Sequence, residues 1–320
     1  MLNNSISLSI DASGKELIEK NARLFDLSLN NMDLHEYMGG YVPPHWHGEL
    51  ELFVLLEGLV TVRIGDQSYE LKAGEGCFIN TEIIHAVVPK TAAPCLFRSF
   101  VFSTDMICGT PESVFHIKYM RPLLENGPSF FVFHNTSEDA PYFQEFHCAY
   151  HACINENYGY EFQVRNALSN VLLFVLSKMS VDSSPSISPV QDERLKKMLT
   201  WMHRNLDKTI SVSEIANTAN ICLRECQRIF QQYLHYSPIE YLQRIRIFHA
   251  AKLLTDSDAP ITEIALNCGF SNPSYFSKQF KKITGMSPSQ YQKMVRSSKK
   301  DPIYEQIDLE NPLSPSDIKY

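Results

Sequence analysis

The chain says nearly the same thing twice. Ser213-Glu-Ile-Ala216, Cys222-Leu-Arg-Glu-Cys-Gln-Arg-Ile-Phe230 and Ser237-Pro-Ile-Glu-Tyr241 return as Thr262-Glu-Ile-Ala265, Asn272-Pro-Ser-Tyr-Phe-Ser-Lys-Gln-Phe280 and Ser287-Pro-Ser-Gln-Tyr291. Phe230 and Phe280, Pro238 and Pro288, and Tyr241 and Tyr291 are each 50 residues apart. A tandem unit of this length is one supersecondary element used twice.

Each copy reads as a helix-turn-helix. A short helix (212–217; 261–267) is followed by a turn, spelled Cys268-Gly-Phe270 in the second copy, where Gly269 takes positive φ without a Cβ clash. The longer helix that follows places Cys222, Cys226, Ile229, Phe230 and Tyr233 at helical spacing in the first copy, and Phe276, Phe280 and Ile283 in the second. Ser237 or Ser287 then caps a new helix, with proline at its first position and Glu240 or Gln290 closing a capping box.

These residues carry a family resemblance. Arg246, Ala250-Ala251, Leu253-Leu254, Ile264-Ala265, Gly269-Phe270, Tyr275-Phe276, Phe280-Lys-Lys282 and Gly285-Met-Ser-Pro288 follow the signature of AraC/XylS-type bacterial transcription regulators. Residues 191–296 therefore resemble the DNA-binding domain of that family. His235 departs from the pattern by standing where a glycine is usual, at a helix C-terminus.

Charge agrees. The net charge of −7 conceals a surplus of six in 191–296, where 15 Lys and Arg meet 9 Asp and Glu. Residues 1–190 carry 11 against 22, so the basic surface lies where phosphates need neutralising. The eight cysteines, 77, 95, 108, 148, 153, 222, 226 and 268, make no CxxC pair and read as reduced thiols. The N-terminal residues lack a signal peptide's pattern, and the longest apolar run, 171–176, is too short to span a bilayer. A cytoplasmic, non-membrane protein is expected.

Upstream the pattern turns β. Runs at 50–56, 60–64, 68–71, 77–80, 86–89 and 96–102 alternate with turns at Glu57-Gly58, Gly65-Asp66 and Ala73-Gly74, which predicts an antiparallel barrel or sandwich. Residues 1–30 show little period, and 105–135 read as irregular. Within the β region Gly39, His45-Trp-His47, Glu51 and Gly58 resemble the first cupin motif. Gly74 and His85 keep the second, from which Asn80 and Glu82 depart. Cupin-like sensor domains accompany many AraC/XylS-type regulators, so the resemblance implies a small effector, often a sugar, bound at His45, His47, Glu51 and His85. The same four resemble the three-His, one-Glu metal set of cupin enzymes, suited to Fe, Mn, Ni or Zn. The plainer alternative is a hydrogen-bonding pocket with no metal and no cofactor. Trp46, on the opposite strand face, reads as a packing residue.

Asp139 is placed to cap a helix to about Asn155, and a second helix covers about 161–179. Its stripe of Val164, Leu168, Val171, Leu172, Val175 and Met179 either packs on the barrel or, as the resemblance implies, forms a dimer interface. Residues 181–189 have linker composition, 192–205 form the first helix of the DNA-binding domain, burying Leu195, Leu199 and Met202, and 297–320 read as a solvated tail.

The expected architecture is thus multidomain α+β: an effector domain (1–135) built as an antiparallel, cupin-like barrel, a helical hairpin (136–180), a linker (181–190), an all-α tandem helix-turn-helix domain (191–296) and a tail. Outward positions Arg224, Gln227 and Arg228, then Ser274, Ser277 and Lys278, match the base-contacting places of the family. Arginine can take guanine and glutamine adenine, so the first copy is expected to be the stronger base reader. The helix from Pro238 to about Leu254 would space the two copies on one face of DNA. Implied partners are a double-stranded operator, a small-molecule effector, RNA polymerase and a second copy of the chain. A metal-dependent cupin enzyme with an appended DNA module is the competing function.

Overall fold

The computed structural model describes residues 2–3, 11, 15–18, 25–179 and 189–298. The 181–190 linker, apart from its last two residues, and all but the first two residues of the 297–320 tail lie outside them. The chain divides into two compact units, Met1–Arg246 and Ile247–Tyr320.

Among the described residues the first unit opens with ten strands: β1 (Leu2–Asn3), β2 (Leu27–Asp33), β3 (Val42–His45), β4 (Leu50–Leu55), β5 (Leu59–Ile64), β6 (Gln67–Lys72), β7 (Gly76–Ile79), β8 (His85–Pro89), β9 (Leu96–Phe102) and β10 (Phe130–Phe133). They form a six-stranded sheet, β1-β2-β9-β4-β7-β10, and a four-stranded sheet, β3-β8-β5-β6. Every pairing is antiparallel except β1 with β2. All six β runs expected from the sequence are strands here, with ends within about a residue.

The apolar runs explain the layering. On β4, Phe53 and Leu55 enter one core cluster while Leu50, Leu52 and Val54 enter another. Successive side chains alternate faces, so a strand covered on both sides reads as a continuous apolar run. The second cluster is capped by α3 (Ala140–Asn155) and α4 (Tyr160–Lys178). Val164, Leu168, Val171, Leu172 and Val175 all turn into it, which is the packing alternative for that stripe, and Met179 is only partly buried. The outward side of α4 instead shows Phe162 and Leu173.

Three expectations are corrected. Residues 105–135 are not irregular: they contain α1 (Thr104–Cys108), a π-helical turn (His116–Met120), α2 (Arg121–Asn126) and β10. Asp139 stands at the start of α3 without capping it, because its carboxylate accepts from the His134 amide at 2.9 Å and faces Lys178 at 3.5 Å. Cys222 is exposed at the N-cap of its helix rather than part of the apolar stripe.

The first helix-turn-helix belongs to the same unit. It comprises α6 (Val212–Thr218) and α7 (Leu223–Tyr233), and α5 (Pro189–Arg204) precedes it. Leu195, Met198, Leu199, Met202, Ile215, Cys226, Ile229 and Phe230 share one apolar cluster with residues of the two-sheet region such as Trp46, Val62 and Ile64. Helix α8 (Pro238–Asp256) follows, about 28 Å long at 1.5 Å per residue. The second unit holds α9 (Ile261–Asn267), α10 (Pro273–Thr284) and α11 (Pro288–Ser298) around Phe276, Phe280 and Tyr291, with Ile283 only partly buried.

The expected caps are present. Ser237 and Glu240 exchange hydrogen bonds in a capping box, as do Ser287 and Gln290, and Ser211 with Glu214 makes a third. His235 takes left-handed backbone (φ +59°) at the place where Gly285 does so in the second copy (φ +82°).

Candidate functional site

The register of two strands assembles a buried polar cluster. On β3, His45 stands opposite His85, the first residue of β8, and His47 follows two residues beyond His45. Glu51 comes from β4. The four side chains offer ligand atoms that all lie within 4.8 Å of one another, and all four residues are buried. The cluster is thus assembled from the residues singled out in the sequence. Trp46 packs into the core at 4% exposure, as a strand-alternating neighbour should.

Each imidazole is oriented the same way. Nδ1 of His45, His47 and His85 lies 2.8, 3.1 and 2.8 Å from the carbonyls of Pro43, Glu49 and Ile83. A carbonyl only accepts, so each Nδ1 carries the proton, and in the neutral ring Nε2 is left with its lone pair. These Nε2 atoms converge. Those of His47 and His85 are buried without a hydrogen-bond partner, although a Glu51 carboxylate oxygen lies 3.4 and 3.2 Å away, outside good hydrogen-bond geometry. Burial and the neighbouring His85 and His47 hold the His45 pKa well below its usual value. Burial would also lower His47 and raise Glu51. Their mutual contact reverses both, lifting His47 and holding Glu51 below the carboxylate range.

The group fits a metal ion. Donors about 2.1 Å from a common ion sit about 3.0–3.4 Å from their neighbours, close to the Glu51 distances here. Imidazoles pinned through Nδ1 to backbone carbonyls are the usual outer shell of a metal site. Such an ion would be held by His45, His47, Glu51 and His85, and would supply Lewis acidity and open coordination positions for oxygen ligands.

Two departures from the cupin pattern have structural roles. Asn80 is buried and spans the loop: its amide donates to Leu123 O and Pro128 O at 2.9 and 3.2 Å, and its oxygen accepts from Thr81 N. Glu82 adopts φ +62° and pairs with Lys15, with Lys196 of α5 at 4.0 Å. Glu16 was not foreseen, yet its carboxylate reaches 3.3 Å from His45 Nε2. A concavity of about 460 Å³ was also missed. It is lined mainly by apolar side chains of α4, α1 and the π-helical turn, with Arg165 at its wall.

On α7, Arg224, Gln227 and Arg228 are all exposed. Arg228 makes a two-pronged pair with Glu225 (2.8 and 2.8 Å) and also donates to Gln232. Among the described residues Arg224 and Gln227 have no hydrogen-bond partner. On α10, Ser274 and Lys278 are exposed, whereas Ser277 is half-buried and donates its hydroxyl to Pro273 O at 3.0 Å. Asn272 caps this helix through Ser274 N and Tyr275 N.

A two-sheet sensor followed by paired helix-turn-helix units defines a regulator that binds DNA. Comparison with known proteins agrees. Residues 34–172 match the AraC-like ligand binding domain, and 215–294 match a helix-turn-helix domain. The chain is 25% identical over 290 residues to the uncharacterised HTH-type transcriptional regulator YdeC of Bacillus subtilis, covering 89% of this chain and 98% of the relative. It is 25% identical to the melibiose operon regulatory protein of Escherichia coli (81% of this chain, 87% of the relative). It is 26% identical to the transcriptional activator RhaS of Klebsiella pneumoniae (77% and 86%). The chain belongs to the AraC-type family of DNA-binding transcription regulators with a ligand-binding domain. Among the described residues no helix is long and apolar enough to cross a membrane.

Proposed function

We propose that the chain is an effector-responsive regulator rather than an enzyme, acting in the cytoplasm. A small polar molecule binds at His45, His47, Glu51 and His85. A two-part operator is read by Arg224, Gln227 and Arg228 on α7 and by Ser274, Ser277 and Lys278 on α10. The observation that carries this reading is the pair of reading helices, each starting an exposed polar face two residues after its N-cap. Early residues of a recognition helix are those that reach base edges. A relative named for a melibiose operon supports a sugar as the effector class. Two chains acting together, joined by the outward face of α4 around Phe162 and Leu173, suit a repeated operator, and RNA polymerase is the partner through which transcription responds.

Selection from random duplexes by the full chain tests the reading. A defined two-part site, bound more tightly or more weakly when candidate sugars are added, is the expected result. Sequence-blind, salt-sensitive binding would overturn the helix assignments. Turnover of a small molecule by the metal-loaded chain would favour the cupin-enzyme alternative, which the buried His and Glu set keeps in view.

A further inference from the structure

We propose that Glu16 of the N-terminal segment is a movable fifth ligand to a divalent transition-metal ion whose other donors, Nε2 of His45, His47 and His85 and the carboxylate of Glu51, are those the cupin resemblance implies, so that the ion pins this segment over the site. The inference rests on the same four side chains as the effector reading and deepens it, since the effector would then meet the ion at a remaining coordination position; it stands whether or not an operator is found.

Charge is the first argument. Three neutral imidazoles and one carboxylate around a divalent ion leave one buried positive charge, which is costly in an apolar interior. A second carboxylate removes it, and Glu16 is the group within reach, 3.3 Å from His45 Nε2 and itself mostly buried. That separation is again what two donors on one ion show. Three imidazole nitrogens with two carboxylates form a borderline set suited to Mn, Fe, Co, Ni or Zn rather than to Ca or Mg.

The segment is already tied to the rim by its backbone and its neighbour. Glu16 N donates to Trp46 O at 2.9 Å, between the two histidines. Lys15 pairs with Glu82, crossing Gly48 so closely that a Cβ there would lie 2.8 Å from Lys15 Nζ. Asp11 holds Lys15 from the other side: its carboxylate accepts from Lys15 N at 3.1 Å and its amide donates to Lys15 O at 2.9 Å. Glu16 is therefore delivered by a strap whose other contacts are independent of the metal, so it can leave the ion without unfolding the two sheets.

Cobalt(II) is the probe. Full-length chain stripped with a chelator and dialysed against Co²⁺ is expected to retain about one equivalent, with a visible spectrum of five-coordinate character. His47→Gln or His85→Gln should weaken retention by at least about tenfold. Glu16→Gln should keep the ion, shift the spectrum toward stronger four-coordinate bands, and speed amide exchange in 15–18 of the loaded chain. Folding of each variant is checked by near-ultraviolet circular dichroism. Failure of the unmodified chain to retain Co²⁺ would overturn the metal site. Retention with spectrum and exchange unchanged in Glu16→Gln would overturn the fifth ligand.

Discussion

The hydroxyl of Tyr41, just ahead of β3, accepts a hydrogen bond from Arg244 on α8 at 2.9 Å. The same guanidinium lies 4.3 Å from the ring of Tyr236, so one cation is shared by a sensor residue and a residue between α7 and α8. Burial and Tyr236 hold the Tyr41 phenol well above its usual pKa against the opposing pull of Arg244, so it stays neutral. Tyr41→Phe removes the acceptor of this bond and of a longer one from the Tyr236 hydroxyl at 3.5 Å, and is expected to cost about 1 kcal/mol. Arg244→Ala should cost more, since the cation–π contact goes too. A double-mutant cycle by urea denaturation should give coupling of at least about 0.5 kcal/mol, and additive costs would show that the contact is not energetic.

Arg224 and Arg228 should separate in operator binding. Arg224, without a hydrogen-bond partner among the described residues, is expected to lose about 1–3 kcal/mol and relax a single base position on replacement by alanine. Arg228 must first release Glu225 and Gln232, so Arg228→Ala should cost less. Equal losses by fluorescence anisotropy would refute the ranking.

Lys278→Ala should weaken binding uniformly across sequences and lower the salt slope by about one unit. A change confined to one base position would instead make Lys278 a base reader.

His235 pays for left-handed backbone that Gly285 adopts freely. His235→Gly is expected to raise stability by about 1 kcal/mol, since its buried Nε2 has no hydrogen-bond partner to lose. Thermal unfolding measures the sign, and a drop would mean that the ring's packing outweighs the backbone cost.

Much of this was legible in advance because the informative features are local. Capping boxes at Ser237 and Ser287, and strands with period-two apolar residues, declare themselves within a few positions. The four-residue strand Phe130–Phe133 does not: its identity depends on pairing with β7, which lies about fifty residues earlier in the chain. Asp139 shows the same limit, since a competing amide from His134 took its carboxylate. The cluster of His45, His47, Glu51 and His85 could be read from spacing, but Glu16 could not. It is an isolated carboxylate in a stretch without period, and only the fold brings it to His45.

The continuous apolar cluster running from Trp46 and Val62 into Leu195, Ile215 and Phe230 bears on how this protein can be rebuilt. Exchanging sensors between relatives by cutting ahead of α5 would leave α5 to α7 with greasy faces bare to water on one fragment and gaps on the other. A chimera that keeps residues up to Arg246 together preserves that packing. The first reader travels with its sensor, and the second is the part that can be traded.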